Sequence, residues 1–264
     1  MTHMTIEETR ARLLAAFATA LEAGTSDNDT KNSRMRNVWE GWDWADDLYE
    51  PDDALIRRIG DYNLWKKTRA GEDPGQLMEE ISYLAFRRLR DFSSIQSYQS
   101  YSVQHDLVVS GAGGLWLILL FRLGLPLSHR TIVAEAKNLD EKVDDAQFSR
   151  LCFTLQNKFD SQCCLGVIVS RLGATGFPDL DNPGSKRLLR DAYATQVLFH
   201  AKTGKYVVVL DDSDIQRLTE VGGLAKVLGA KIRAVEEAGH LPVPEDGSWQ
   251  QVSLPAHLAK YGHP

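Results

Sequence analysis

Leu165-Gly166-Val167-Ile168-Val169 is an uninterrupted apolar run, and Tyr206-Val207-Val208-Val209-Leu210 is a second one further along the chain. Short runs of this kind suit strands covered on both faces, the condition of parallel strands sandwiched between helices. The segments around them have helical spacing. Asp144 reads as the N-cap of a helix with Phe148, Leu151, Cys152, Leu155 and Phe159 on one face, and a further helix is expected from Lys186 to about Phe199. Asp211 to Asp214 reads as the cap of a third helix, through Leu218 and on towards Val235. Strands alternating with helices predict an α/β sheet with parallel or mixed central strands.

The N-terminal part reads differently. Ile6 to Leu21 places Leu13, Leu14, Phe17 and Leu21 at helical spacing, and Gly24 to Asn32 is a polar break. Trp39, Trp42 and Trp44 then stand among Glu40, Asp43, Asp46 and Asp47. Tryptophans so placed either anchor the N-terminal helices on the main domain or form a docking surface, and the surrounding acids disfavour nucleic acid as the docked partner. Leu55 to Trp65 reads as another helix, and the Gly71-Glu72-Asp73-Pro74-Gly75 cluster marks a boundary between a helical region, 1–74, and a main domain, 75–264. From Gln76 an amphipathic helix carries Leu77, Ile81, Leu84, Ala85 and Leu89, with Arg87, Arg88 and Arg90 read as exposed. Tyr98–Val103 and Leu107–Ser110 look like β-structure, whereas Leu115 to Leu125 fits a third strand with a hairpin or a short buried helix, which periodicity does not separate.

Composition narrows the function classes. The length of 264 residues accommodates one sizeable α/β domain with an appended subdomain. The net charge of −6 argues against a general polyanion binder but leaves room for a local basic face. Cys152, Cys163 and Cys164 have no metal-ligand spacing and read as buried thiols of a reducing compartment. The N-terminus has no basic segment leading into an apolar core, and the longest apolar run, Leu115–Phe121, stops at Arg122. A cytoplasmic protein without a membrane span is therefore expected. Gly111-Ala112-Gly113-Gly114 lacks the spacing and the lysine of a phosphate loop.

The chemistry concentrates at Thr131-Ile132-Val133-Ala134-Glu135-Ala136-Lys137-Asn138. In a strand, Val133, Glu135 and Lys137 share one face and Ile132, Ala134 and Ala136 the other. An acid and a base at the exit of a buried strand carry a desolvation cost unless paired, metal-bound or put to use. They are either an ion pair at a strand end or half of a site.

The order of helix with Glu79, strand with Asp106, strand with Glu135-x-Lys137, helix with Gln147, strand, helix, strand resembles the PD-(D/E)xK superfamily of restriction-endonuclease-like nucleases over roughly Gln76 to Val235. The resemblance rests on Asp106 in His105-Asp106-Leu107-Val108-Val109, on Ala134-Glu135-Ala136-Lys137, and on Gln147 in the following helix. His105 stands where the family pattern has proline. The resemblance implies a mixed central β-sheet flanked by helices, with an N-terminal helical region added. It further implies a Mg²⁺-dependent endonuclease, with Mn²⁺ as substitute, that hydrolyses DNA phosphodiesters in a prokaryotic restriction or defence setting.

In such a site Asp106 and Glu135 are the metal ligands, with Glu79 as a further candidate. Mg²⁺ prefers carboxylate oxygens and water. Lys137 orients or deprotonates the attacking water and offsets charge at phosphorus, and Gln147 positions the nucleophile. Each residue also has a plainer reading. Asp106 ends a strand, Gln147 flanks a core face, His105 is packed, and Arg171 meets either a phosphate or a nearby acid. Cutting both strands of a duplex favours a homodimer. Two other classes stay open: a non-catalytic subunit of the same fold that docks a protein through the Trp-rich N-terminal region, and an RNA-cleaving member.

Overall fold

Five strands form one mixed sheet whose spatial order follows the sequence. The computed structural model describes residues 11, 44–71, 73–100, 103–137, 141–177 and 191–240, and their side chains except at 98–100, 103–106 and 239–240. In chain order the elements are α1 (Trp44–Leu48), α2 (Asp53–Thr68), α3 (Pro74–Arg87), β1 (Phe92–Ser100), β2 (Val103–Gly111), α4 (Gly114–Arg122) and β3 (Thr131–Lys137). They continue with α5 (Asp145–Asn157), β4 (Cys163–Ser170), α6 (Ala192–Thr203), β5 (Tyr206–Leu210), α7 (Asp212–Arg217) and α8 (Gly223–His240). The expected helix at 6–21, Trp39, Trp42, the loop at 178–190 and the tail from 241 lie outside the described residues.

The apolar runs behave as their composition demands. Every residue of β4 and β5 is buried. β3, β4 and β5 are parallel, while β1 and β2 add an antiparallel flank. Alternation sends Ile132, Ala134, Leu165, Val167, Val169, Val208 and Leu210 into one core, packed with residues of α1 to α4, α7 and α8. Val133, Ile168, Val207 and Val209 face the other, beneath α5 and α6. The β3–α5–β4 and β4–α6–β5 connections thus place both helices on one face.

Local signals explain most boundaries. Asp52 caps α2 by accepting from the Leu55 amide at 2.9 Å, and Leu55, Ile59, Tyr62 and Trp65 form its buried stripe. Asp73 caps α3 next to Pro74. The turn between these helices joins two elements whose buried side chains belong to one continuous core, which they share with the sheet. Two arginines read as exposed are half-buried and held: Arg88 Nε donates to the Glu50 carbonyl, and Arg90 Nη2 to the Glu50 carboxylate, each at 2.7 Å.

β1 begins at Phe92, six residues before the expected start at Tyr98, because Phe92 and Ser94 to Gln96 pair with Gly111 to Val108 despite their polar sequence. Leu115 to Arg122 is a helix. Leu115, Trp116, Leu119 and Leu120 are buried at helical spacing, and Asp91, brought in from the end of α3, accepts from the Leu115 amide at 2.9 Å. The indole of Trp116 packs against Gly111, where a Cβ would come to 2.0 Å from the ring. The helix expected to run from Asp211 to Val235 is two helices. It breaks at Thr219–Gly222, where Gly222 takes φ +75° and donates to the Tyr49 carbonyl at 2.9 Å, letting the chain close against α1.

Candidate active site at the carboxyl end of β3

β3 is buried over its first five residues and half-buried at Ala136 and Lys137. Glu135 sits at the end of the buried part, its side chain 2% exposed. A carboxylate so far from water must be compensated. Arg150 Nη2 donates to Oε1 at 3.0 Å, and Lys137 Nζ lies 4.0 Å from Oε2. The lysine comes from the same strand face two residues on, whereas the arginine is carried by α5.

The start of α5 is fixed over the strand ends by several bonds. Asp144 accepts from the Gln147 amide at 2.8 Å, and the Gln147 Oε1 accepts in return from the Asp144 amide at 3.3 Å, a reciprocal cap. Val143 donates to Gly173 and accepts from Thr175, which ties the approach to α5 to the turn beyond β4. Thr195 of α6 donates a hydrogen bond to Asp145. Arg150 therefore enters the site from an anchored helix, one turn beyond Gln147.

The structure brings the other expected residues to different places. β2 and β3 pair antiparallel from Ser110 opposite Thr131 to Leu107 opposite Ala134, where the ladder ends, one residue short of Asp106 on β2 and of Glu135 on β3. The pairing of β1 with β2 shifts register between Gln96 and Tyr98, a bulge that falls at this same point. The side chains of His105 and Asp106 lie outside the described residues. Gln147 is half-buried, with its amide oxygen serving the cap. Glu79 is exposed on α3, a helix that packs on the opposite side of the sheet from Glu135, while its neighbour Glu80 binds Arg58 Nε at 2.6 Å.

Sequence reasoning passed over Arg150, although one helical turn beyond Gln147 is the position a second polar residue needs to share its side of the helix. It named Arg171 but passed over the residues gathered with it at the neighbouring strand ends. Ser170, the register partner of Lys137, is followed directly by Arg171. The Arg171 guanidinium lies 5.8 Å from the Trp65 ring, and that of Arg69 lies 4.6 Å from it. Beside them Lys66 Nζ and the Tyr62 hydroxyl both donate to Asp212, at 2.6 and 2.9 Å. Burial, and then the bond to Asp212, push the Tyr62 hydroxyl far above its ordinary pKa, so it acts here as a neutral donor.

The cysteines stand apart from this edge. Cys152, Cys163 and Cys164 are free and buried, and burial raises the first two to about 12 and the third to about 11, well away from reactive thiolate. Among the described residues no group of three or more His, Cys, Asp or Glu is placed to hold a metal. The donor chemistry at this end of β3 would suit Mg²⁺ through Glu135, a hard oxygen donor, and Asp106 is the residue of β2 that adjoins the last paired position, Leu107 opposite Ala134. No helix among the described residues is long and apolar enough to cross a membrane. The chain matches no family model, no curated protein and no solved structure.

Proposed function

We propose that the chain is a metal-dependent nuclease that hydrolyses nucleic-acid phosphodiesters, with a restriction-endonuclease-like fold and DNA as its substrate. The observation that carries this reading is the buried Glu135 carboxylate at the end of β3, with Arg150 Nη2 at 3.0 Å and Lys137 Nζ at 4.0 Å, where β2 pairs as far as Leu107 opposite Ala134 and Asp106 is the adjoining residue of that strand. Two carboxylates from adjacent strands and a lysine beside them at a strand exit are costly to assemble for structure alone. Asp106 and Glu135 would hold a Mg²⁺ or Mn²⁺ ion, and Glu79, on the far side of the sheet, has no part in the proposal.

The bound ion would polarise a phosphate oxygen and acidify a water. Lys137 Nζ, 21% exposed in its side chain, is open to solvent and tethered near Glu135. It is placed to orient the attacking water and to offset negative charge gathering on phosphate. Arg150 reaches the same carboxylate from α5 with its side chain 43% exposed, so a guanidinium can turn from Glu135 to a substrate oxygen without leaving the site. Gln147 steadies the helix that carries it. Prokaryotic defence, with the enzyme acting as a dimer on duplex DNA, is the setting that agrees with this chemistry.

One observation favours a second reading. The Arg150–Glu135 pair compensates the buried acid without any metal, which is what a non-catalytic subunit of the same fold would need. Lys137→Ala separates the two. In the enzyme, plasmid cleavage with Mg²⁺ or Mn²⁺ disappears while the thermal unfolding midpoint stays near wild type. Wild-type protein that cuts neither duplex DNA, single-stranded DNA nor RNA with either metal overturns the catalytic reading.

A further inference from the structure

α2 buries one stripe, Leu55, Ile59, Tyr62 and Trp65, and turns its opposite side to solvent. That outer side is not polar throughout. Ile56 is 45% exposed and Leu64 is 60% exposed, and between them stands Gly60, itself exposed, with nothing within 4 Å of the place a Cβ would take. Glycine in the middle of an exposed helix costs stability relative to almost any residue other than proline. Among the described residues no neighbour of Gly60 requires the side chain to be missing.

Ile56, Gly60 and Leu64 are spaced four apart and form one ridge along the helix. The ridge is symmetric about the glycine, and so are the charges beyond it. Asp53 stands seven residues before Gly60 and Lys67 seven after, two turns in each direction. Both are exposed, and neither has an ion-pair partner among the described residues. An acid in the first turn and a base in the last suit the dipole of α2 itself. The dipole does not call for an exposed apolar residue on each side of an open glycine. Turning the helix end for end exchanges Ile56 with Leu64 and Asp53 with Lys67, and leaves Gly60 in place. A second α2 laid antiparallel on the first thus sets each acid beside a base and each isoleucine beside a leucine. Facing glycines let the two axes approach to the near end of the usual helix–helix range, about 8 Å.

We infer that the outer face of α2 is an isologous interface between two copies of this chain, with Gly60 at the two-fold axis. One 16-residue helix from each copy makes a contact smaller than the interface of a permanent dimer, so self-association belongs in the micromolar range. α2 packs into the core on one side of the sheet, whereas Glu135 shares the side of Val133 beneath α5, so pairing leaves that strand end uncovered. The inference does not rest on the nuclease reading.

The test is sedimentation equilibrium of the full-length protein over a concentration series, with thermal melting of every variant followed by circular dichroism at low concentration. Wild type should show a monomer–dimer equilibrium. Gly60→Gln puts a better helix former where the monomer has room, so it should melt no lower than wild type while self-association weakens about tenfold or more. Asp53→Lys and Lys67→Asp each turn both cross-pairs of the dimer into like charges, and each should weaken self-association about tenfold. Mixed together, these two variants should form a heterodimer of about wild-type affinity, because every cross-pair is again opposite in sign. Only an antiparallel second copy predicts that recovery. Should a charge reversal fail to fold, Gly60→Gln still decides. Wild type that stays monomeric at about 0.1 mM overturns the inference, whether residues 1–43 of the same chain or a different protein then cover the stripe. So does a dimer that Gly60→Gln leaves intact, and so do folded charge-reversed variants that stay apart when mixed.

Discussion

Arg150 Nη2 lies 3.0 Å from the Oε1 of Glu135, so the buried acid at the end of β3 is paired from the facing helix as well as approached by Lys137 on its own strand. The pair is asymmetric. The carboxylate is 2% exposed and the guanidinium 43%, so the acid depends on the arginine far more than the arginine on the acid. Removing one partner of a fully buried pair costs about 3–5 kcal/mol, and solvent around Arg150 reduces this. Arg150→Ala is expected to destabilise by about 1–2 kcal/mol. Neutralising the acid should relieve the loss, so Arg150→Ala combined with Glu135→Gln should melt above Arg150→Ala alone. Thermal unfolding of the four proteins in this cycle measures the coupling, and purely additive effects would show that Arg150 does not sustain Glu135.

The contact between Gly111 and Trp116 yields a second expectation. The indole occupies the space where a side chain at 111 would begin, and Trp116 is fully buried between strand and helix. Gly111→Ala must therefore push α4 away from β2 or rotate the ring. The expected loss is about 2 kcal/mol or more, at the upper end of overpacking costs. Gly114→Ala, where nothing lies within 4 Å, is the control and should change stability little. Chemical denaturation with intrinsic tryptophan fluorescence reads both, and equal midpoints for the two variants would remove the packing argument.

What the sequence made readable follows from what is local. β3, β4 and β5 announce themselves because strands buried on both faces leave uninterrupted apolar runs. The cap at Asp144 is visible because a capping box is a four-residue pattern. The start of β1 at Phe92 is hidden, since Ser93, Ser94, Gln96 and Ser97 have low strand preference and the segment is held by the pairing of Phe92 and Ser94 to Gln96 with β2. α4 is apolar on most sides, so its periodicity fades, and the asparate cap that decides for a helix comes from residue 91 across a turn of tertiary structure. The candidate site divides in the same way. Glu135-x-Lys137 is a motif within one strand, but the pairing of Arg150 with Glu135 and the meeting of Arg69 with Arg171 on Trp65 exist only after folding.

The three thiols make a pH prediction. Burial holds Cys152 and Cys163 at about 12 and Cys164 at about 11, above the ordinary value of 9.0. A group whose pKa is raised on folding contributes stability that is complete below its unfolded value and is lost as pH rises through the folded one. Stability should fall progressively from pH 9 towards 11–12 as the unfolded chain releases thiol protons that the fold retains. Cys163→Ala should flatten part of that decline. Native protein at pH 8 should leave all three thiols unreactive towards a disulfide reagent, and denatured protein should titrate three. A fast-reacting native thiol would contradict the buried assignment.

Lys205 tests how the far end of the parallel strands is held. It is 5% exposed, and its Nζ donates to the carbonyls of Asp160 at 2.6 Å, Cys163 at 3.1 Å and Leu155 at 3.3 Å. One ammonium thus ties the end of α5 and the start of β4 to the residue that opens β5. Its ion pair with the Asp160 carboxylate, 3.0 Å away, is a lesser matter because that side chain is 74% exposed and largely screened. Lys205→Met keeps the length of the side chain and removes all the donors, which strands carbonyls in a closed space. The expected loss is about 2–4 kcal/mol, against under about 1 kcal/mol for Asp160→Ala. Urea midpoints compare the two directly. If Asp160→Ala costs as much as Lys205→Met, the exposed ion pair rather than the three carbonyls holds this end of the sheet.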